Sequence, residues 1–221
     1  VQCSSGWNPE QDAEEFVNHI AFLKGMEAKY VIVCDGGGSL NWDARGANKR
    51  VEKFDEAAWQ RIAKGLNRAG YYAREQGITL VYHPHFGTAV ETPMEIERLL
   101  SLTDPEAVSL LADTGHIYAG GGDPSEVIRK HMDRIRYFHL KDVRRAVYDR
   151  VAKEGIGFID AVRLGMFTTP GDGCIDFKSL FSFLATTDYQ GWMIIEAEQD
   201  PLQCEPVQYA RSAKDYIESL W

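Results

Sequence analysis

The sequence predicts an α/β fold of the (β/α) TIM barrel type, on three observations. Short apolar runs alternate along the chain with segments of helical periodicity, the pattern of a parallel sheet covered by helices. Two helices open with an N-cap followed by proline, at Thr92-Pro-Met-Glu95 and Asp123-Pro-Ser-Glu126, each just past a strand. Four apolar runs stop abruptly at metal-type or acid–base side chains. Ile78–Tyr82 ends at His83-Pro-His85, and Val108–Ala112 at Asp113-Thr-Gly-His116. Ile135–Phe138 ends at His139-Leu-Lys141, and Trp192–Ile195 at Glu196-Ala-Glu198. In a barrel all strand C-termini open onto one face, where the active site lies.

The elements follow in order. Val1–Ser5 reads as a strand, and the turn Gly6-Trp-Asn-Pro9 leads to a helix with Phe16, Val17, Ile20 and Leu23 on one face. Lys29–Cys34 is a strand that breaks at Asp35-Gly-Gly-Gly38. Three glycines after a strand suggest a phosphate cradle, but no Lys-Ser/Thr follows and the G-x-G-x-x-G spacing is missing. Gly36 to Lys53 is therefore read as a long loop over the barrel mouth, with little to bury. Asp55 caps a helix carrying Ala58, Trp59, Ile62, Ala63, Leu66 and Ala69 inward, and Gly77 ends it. Ile96, Leu99 and Leu100 mark the helix that begins at Thr92.

Val143 to Thr169 is mixed in charge and only partly periodic, and is read as an excursion over the catalytic face. Asp176 caps a helix with Phe177, Leu180, Phe181 and Leu184 inward, and a last helix runs from about Val207 with Ala210, Ala213, Ile217 and Leu220 on one side. A closed barrel needs about 250 residues, against 221 here. The expectation is one domain over residues 1–221, lacking the first two βα units.

A net charge of -9 and a pI near 5.2 argue against a nucleic-acid backbone or an anionic membrane as partner. No apolar run approaches the roughly 20 residues that a spanning helix needs. Cys3, Cys34, Cys174 and Cys204 lie far apart without C-x-x-C spacing, and read as reduced thiols of a cytoplasmic protein. A small-molecule substrate fits this composition.

Asp113, His139 and Glu196 suit a hard to borderline divalent cation such as Mn²⁺ or Co²⁺, with Mg²⁺ or Zn²⁺ as alternatives. Alone, Asp113 would be a cap for the turn after it, and His139 an ordinary core histidine. Three strand ends together point to a metal. The fourth ligand is either His83, at a strand end, or Glu91. Charge favours Glu91, because two carboxylates only just neutralise a divalent ion; otherwise Glu91 is a charge beside a helix N-terminus. His83, His85, His116, Lys141 and Glu198 are the candidates for moving protons or holding substrate hydroxyls. His116 follows Asp113 by one turn. Lys141 keeps the strand face of His139, where its ammonium would stabilise an enolate; the alternative is a salt bridge to Asp142 or Glu198. His19 and His131 fall within helical patterns and are read as structural.

Five motifs now stand in order: Tyr82-His-Pro-His-Phe-Gly-Thr-Ala-Val-Glu-Thr92, Asp113-Thr-Gly-His116, His139-Leu-Lys-Asp-Val-Arg144, Thr169-Pro-Gly-Asp-Gly-Cys-Ile-Asp-Phe177 and Gly191-Trp-Met-Ile-Ile-Glu-Ala-Glu-Gln-Asp200. Together, over nearly the whole chain, they resemble the inosose dehydratases of myo-inositol catabolism, within the xylose-isomerase-like sugar phosphate isomerase/epimerase superfamily. The resemblance implies a divalent metal, commonly manganese or cobalt, and dehydration of 2-keto-myo-inositol to a trihydroxycyclohexane-dione. By motif position it carries ligand roles onto Asp113, His139 and Glu196. The glutamate usual on the earlier strand falls where His83 stands, so the choice between His83 and Glu91 stays open. Family members also carry two βα units ahead of the strand that Val1–Ser5 matches.

The implied reaction removes an α-proton with a base and assists loss of the β-hydroxyl with an acid; His85, His116 and Glu198 are unranked for these roles. A ketose epimerase or sugar isomerase on the same scaffold begins with the same enolisation. A third reading is a non-catalytic, truncated sugar-binding subunit whose open sheet edge a partner would cover, a homo-oligomer being one form of this.

Overall fold

The computed structural model describes residues 2–3, 9–35 and 53–220. The expected strand Val1–Ser5 is described only at its second and third residues, and of the loop from Gly36 only Lys53 is included.

Among the described residues eight strands are numbered in chain order: β1 (Gln2–Cys3), β2 (Tyr30–Asp35), β3 (Thr79–Tyr82), β4 (Ser109–Asp113), β5 (Ile135–Leu140), β6 (Asp142–Val143), β7 (Phe167–Thr168) and β8 (Trp192–Ile195). Six of them form one sheet in the order β1-β2-β3-β4-β5-β8, every neighbouring pair parallel. Helices α1 (Pro9–Gly25), α2 (Glu56–Glu75) and α3 (Pro93–Leu102) connect the first four strands. α4 (Thr114–Ala119) and α5 (Pro124–His131) lead to β5, α8 (Phe177–Leu184) leads to β8, and α9 (Pro206–Glu218) follows it.

Local sequence explains these elements. Asp55 accepts from Ala58 N at 2.7 Å to start α2. The box at Thr92 is complete, Thr92 Oγ1 accepting from Glu95 N and Glu95 Oε2 from Thr92 N. All of β4 is buried, as expected for a strand covered on both faces, and the inward faces of α2, α3 and α8 complete the main core around Leu66, Leu99, Leu110, Phe138 and Phe177. Gly70 of α2 allows close packing, since a Cβ there would meet Ala107 O at 2.0 Å. β8 is only half-buried, with Trp192 61% exposed, so β1 and β8 are the sheet edges among the described residues.

The stretch after β5 has more structure than its sequence suggested. α6 (Arg145–Glu154) and α7 (Phe158–Arg163) lie between β6 and β7, which pair antiparallel. Val143, Val151, Phe158, Ala161, Met166 and Phe167 form a second apolar cluster with Ala119. No helix among the described residues is long and apolar enough to cross a membrane.

Candidate active site

Register brings the strand-end residues together. Asp113 and His139 are paired positions of β4 and β5, and His139 pairs with Ile194 of β8. Glu196 N donates to Leu140 O at 3.1 Å, and His83 N to Val33 O at 2.8 Å, so both residues extend their strands by one hydrogen bond. Side chains alternate along a strand, so the doublets His83/His85, His139/Lys141 and Glu196/Glu198 each place two groups on one face, one above the other.

The lower tier is built around Asp113 Oδ2, which lies 3.4 Å from His83 Nε2 and 3.4 Å from His139 Nδ1. Glu196 Oε2 lies 3.0 Å from His139 Nδ1. In the upper tier, His85 Nε2 and His116 Nε2 are 3.5 Å and 3.4 Å from the Glu198 carboxylate, and the two rings lie tilted with centroids 3.7 Å apart. Lys141 stands between the tiers, fully buried. Its Nζ is 2.8 Å from Glu196 Oε2, 2.9 Å from both Glu198 Oε2 and His116 Nε2, and 3.4 Å from Asp113 Oδ2.

Asp113 combines the two roles its sequence context left open. Oδ1 accepts from His116 N at 2.9 Å and caps α4, while Oδ2 makes no hydrogen bond. Gly115 in the same turn leaves room for the lysine, because a Cβ there would come within 2.7 Å of Lys141 Cγ. Thr114 Oγ1 then ties the two strands, donating to Lys141 O at 2.6 Å and accepting from Lys141 N at 3.0 Å.

Four buried atoms of the lower tier lack an aligned hydrogen bond: His83 Nε2, Asp113 Oδ2, His139 Nδ1 and Glu196 Oε2. Buried polar atoms are seldom left so; here ligand atoms of His83, Asp113 and His139 lie within 4.8 Å of one another, and Glu196 Oε2 stands beside His139. Two carboxylate oxygens and two imidazole nitrogens form a donor set that fits a hard to borderline divalent ion.

The same groups set one another's ionisation. Burial opposes ionisation of Asp113, yet Lys141, His116 and the neighbouring imidazoles hold its carboxyl well below the usual range. Burial likewise opposes Glu196, but His139 and Lys141 outweigh it and bring the group to about 2. Burial disfavours the His139 cation, while Asp113 and Glu196 lift its pKa to about 9. Burial dominates at His83, pushed down to about 4, and at His116, pushed well down with help from the charges of His85 and Lys141. Lys141 stays charged against its burial because Asp113, Glu198 and Glu196 surround it. Glu198 is lowered, Lys141 and His85 overcoming its desolvation.

Glu91, expected as fourth ligand on charge, is placed elsewhere. Its Oε2 accepts from Gly87 N at 2.7 Å and its Oε1 pairs with Lys53 Nζ at 2.8 Å. One oxygen is committed to the turn after His85 and the other to Lys53, and His83 stands beside Asp113 instead. Lys141 pairs with Glu198 and not with Asp142, whose carboxylate accepts from the backbone N–H groups of Val143, Gly171, Gly173 and Ile175. Three contributors went unread in the sequence. Lys53 fastens Glu91, while Phe158 and Phe167 pack on His85 and His116 at 4.8 Å and 5.1 Å. Only the apolar spacing inside the excursion hinted at the two phenylalanines.

Residues 4–220 match the family model described as xylose isomerase-like TIM barrel. The chain is 48% identical over 213 residues to the inosose dehydratase of Geobacillus kaustophilus (strain HTA426), covering 96% of this chain and 69% of that relative. The chain belongs to the inosose dehydratase family.

Solved structures place this inosose dehydratase family member among barrels of the same type. A xylose isomerase-like TIM barrel protein from Mycobacterium smegmatis in complex with magnesium superposes with a TM-score of 0.69 at 17% identity, over 96% of this chain and 67% of that one. The IOLI protein with a zinc atom gives 0.67 at 16% identity, over 94% of this chain and 68% of that one. At these identities they speak for the fold.

Proposed function

We propose that the chain is a metal-dependent dehydratase acting on a cyclic polyol ketone of the inosose kind, with His83, Asp113, His139 and Glu196 holding one divalent ion. The cluster of His83, Asp113 and His139, with ligand atoms within 4.8 Å of one another and no aligned hydrogen bonds on the facing atoms, carries the metal assignment, and Glu196 joins it beside His139. The inosose dehydratase relative supports the substrate class. The mixed carboxylate and imidazole donors support a divalent ion, for which we propose Mn²⁺ or Co²⁺ ahead of Mg²⁺ or Zn²⁺.

A divalent ion at this position supplies Lewis acidity that makes the proton α to the ketone easier to remove. The protein's own groups do the rest. His85 Nδ1 lies 2.8 Å from Phe86 O, so Nδ1 carries the proton and Nε2 presents a lone pair. His85 is thus the base for the α-proton, and the Glu198 carboxylate beside it stabilises the imidazolium that results. The same imidazolium returns its proton to the departing β-hydroxyl, which leaves as water. The Lys141 ammonium, fixed by its carboxylates, offsets the negative charge that builds on the substrate oxygen. His116 holds Lys141 in place, and Phe158 and Phe167 keep water off the two imidazoles.

The presence of a complete set of acid, base and ligand groups weighs against a non-catalytic subunit. A cytoplasmic setting is proposed from the free thiols of Cys34, Cys174 and Cys204. Incubation of the Mn²⁺- or Co²⁺-loaded protein with 2-keto-myo-inositol tests the function. Dione absorbance should appear as the ketone is consumed. Carbon-bound deuterium exchange without any dione would instead establish an epimerase or isomerase.

A further inference from the structure

Above the four proposed ligands lies a second set of donors with the chemistry of a divalent-ion site. Ligand atoms of His85, His116 and Glu198 all lie within 4.8 Å of one another, a spread that small side-chain rotations would close around an ion with bonds of about 2.0–2.2 Å. His85 is held in the tautomer that presents Nε2 by its contact with Phe86 O at 2.8 Å. His116 has Phe86 N at 3.3 Å from Nδ1 and the Lys141 ammonium at 2.9 Å from Nε2. Both neighbours are donors, Phe86 N toward Nδ1 and the ammonium toward Nε2, and the shorter contact, from the charged donor, is the stronger and turns the Nε2 lone pair to Lys141.

Lys141 Nζ already contacts two of these three groups, 2.9 Å from both His116 Nε2 and Glu198 Oε2. The backbone is built to admit this side chain: Gly115 clears its stem, and Thr114 locks its main chain on both sides. We infer that Lys141 is a built-in cation occupying a latent second divalent-ion site formed by His85, His116 and Glu198, and that it limits the centre to a single ion. The inference rests on the metal reading of the lower tier. Three carboxylates, Asp113, Glu196 and Glu198, are then balanced by one dication and one ammonium. A second dication beside the ammonium would face strong like-charge repulsion at low dielectric. Removing the ammonium reverses that balance and frees three donors at once.

The test counts ions per chain, without substrate. Wild-type protein, Lys141→Met, Lys141→Met/Glu198→Gln and Glu198→Gln are each dialysed against Co²⁺ and measured by elemental analysis, with the visible Co²⁺ bands as a second readout. Methionine keeps a stem of similar length beside Gly115 while deleting the charge. Wild type should hold one ion even in excess Co²⁺, Lys141→Met two with an added set of bands, and the double variant one. A single ion in folded Lys141→Met overturns the inference, as do two ions in wild type. Should Lys141→Met fail to fold, Glu198→Gln decides. Retention of its one ion supports the division into two sites, and loss of that ion overturns it by placing Glu198 in the first. A wild type with no ion would instead defeat the metal reading itself.

Discussion

Asp113 and His139 occupy paired positions on adjacent parallel strands, with Asp113 Oδ2 and His139 Nδ1 3.4 Å apart and neither in an aligned hydrogen bond. The other oxygen of the same carboxylate caps α4. Asparagine at 113 keeps an oxygen for the cap but removes the charge, whereas alanine removes both. Asp113→Asn should lose the ion and lower the melting temperature of ion-free protein, since buried Lys141 and His139 lose the carboxylate that favours their charged forms. Asp113→Ala should lose about 1 kcal/mol more of stability, the usual worth of a cap. Elemental analysis and thermal melts separate the two.

His83→Gln should abolish ion retention, because it removes a donor from a shell of four. Glu91→Ala should retain the ion, since both Glu91 oxygens are engaged by Gly87 N and Lys53. Its effect should be a loss of about 1–2 kcal/mol from the unmade contacts, with lower kcat as the turn carrying His85 loosens. Loss of the ion in Glu91→Ala with retention in His83→Gln would reverse the ligand assignment.

Ion binding should strengthen with pH. In the ion-free site His139 holds its proton up to about 9, and an incoming ion must displace it. Below that pH the apparent affinity should fall about tenfold per unit for one proton released. Stability of the ion-free protein should run the other way. The folded pKa lies above the ordinary 6.5, so the His139 contribution is full below 6.5 and is lost as pH rises through 9. Calorimetric titration and ion-free melts from pH 6 to 9 check both signs.

Gly115→Ala should disturb Lys141 without touching any proposed ligand. A Cβ there sits 2.7 Å from Lys141 Cγ, an overlap of the kind that costs about 1–3 kcal/mol in a packed site. Turnover should fall while one ion per chain remains, as read by kcat beside elemental analysis.

The sequence alone determined the alternation of strands and helices, the helix starts at Asp55, Thr92 and Asp123, and the strand ends that carry Asp113, His139 and Glu196. These are local properties, set by apolar periodicity and by side chains that bond a backbone two or three residues away. Alternation likewise placed Lys141 on the face of His139. Only the tertiary structure shows His83 beside Asp113 and Glu91 tied to Gly87 N and Lys53, which is why His83 is the one proposed. A charge count favoured the glutamate, but its oxygens are captured by Gly87 N within its own turn and by Lys53 from 38 residues away. The roof of Phe158 and Phe167 was hidden for the same reason: helices α6 and α7 are short, and they bury their apolar sides against groups contributed by other strands. Periodicity within a segment reports that it has a buried side; what it is buried against depends on contacts between distant parts of the chain.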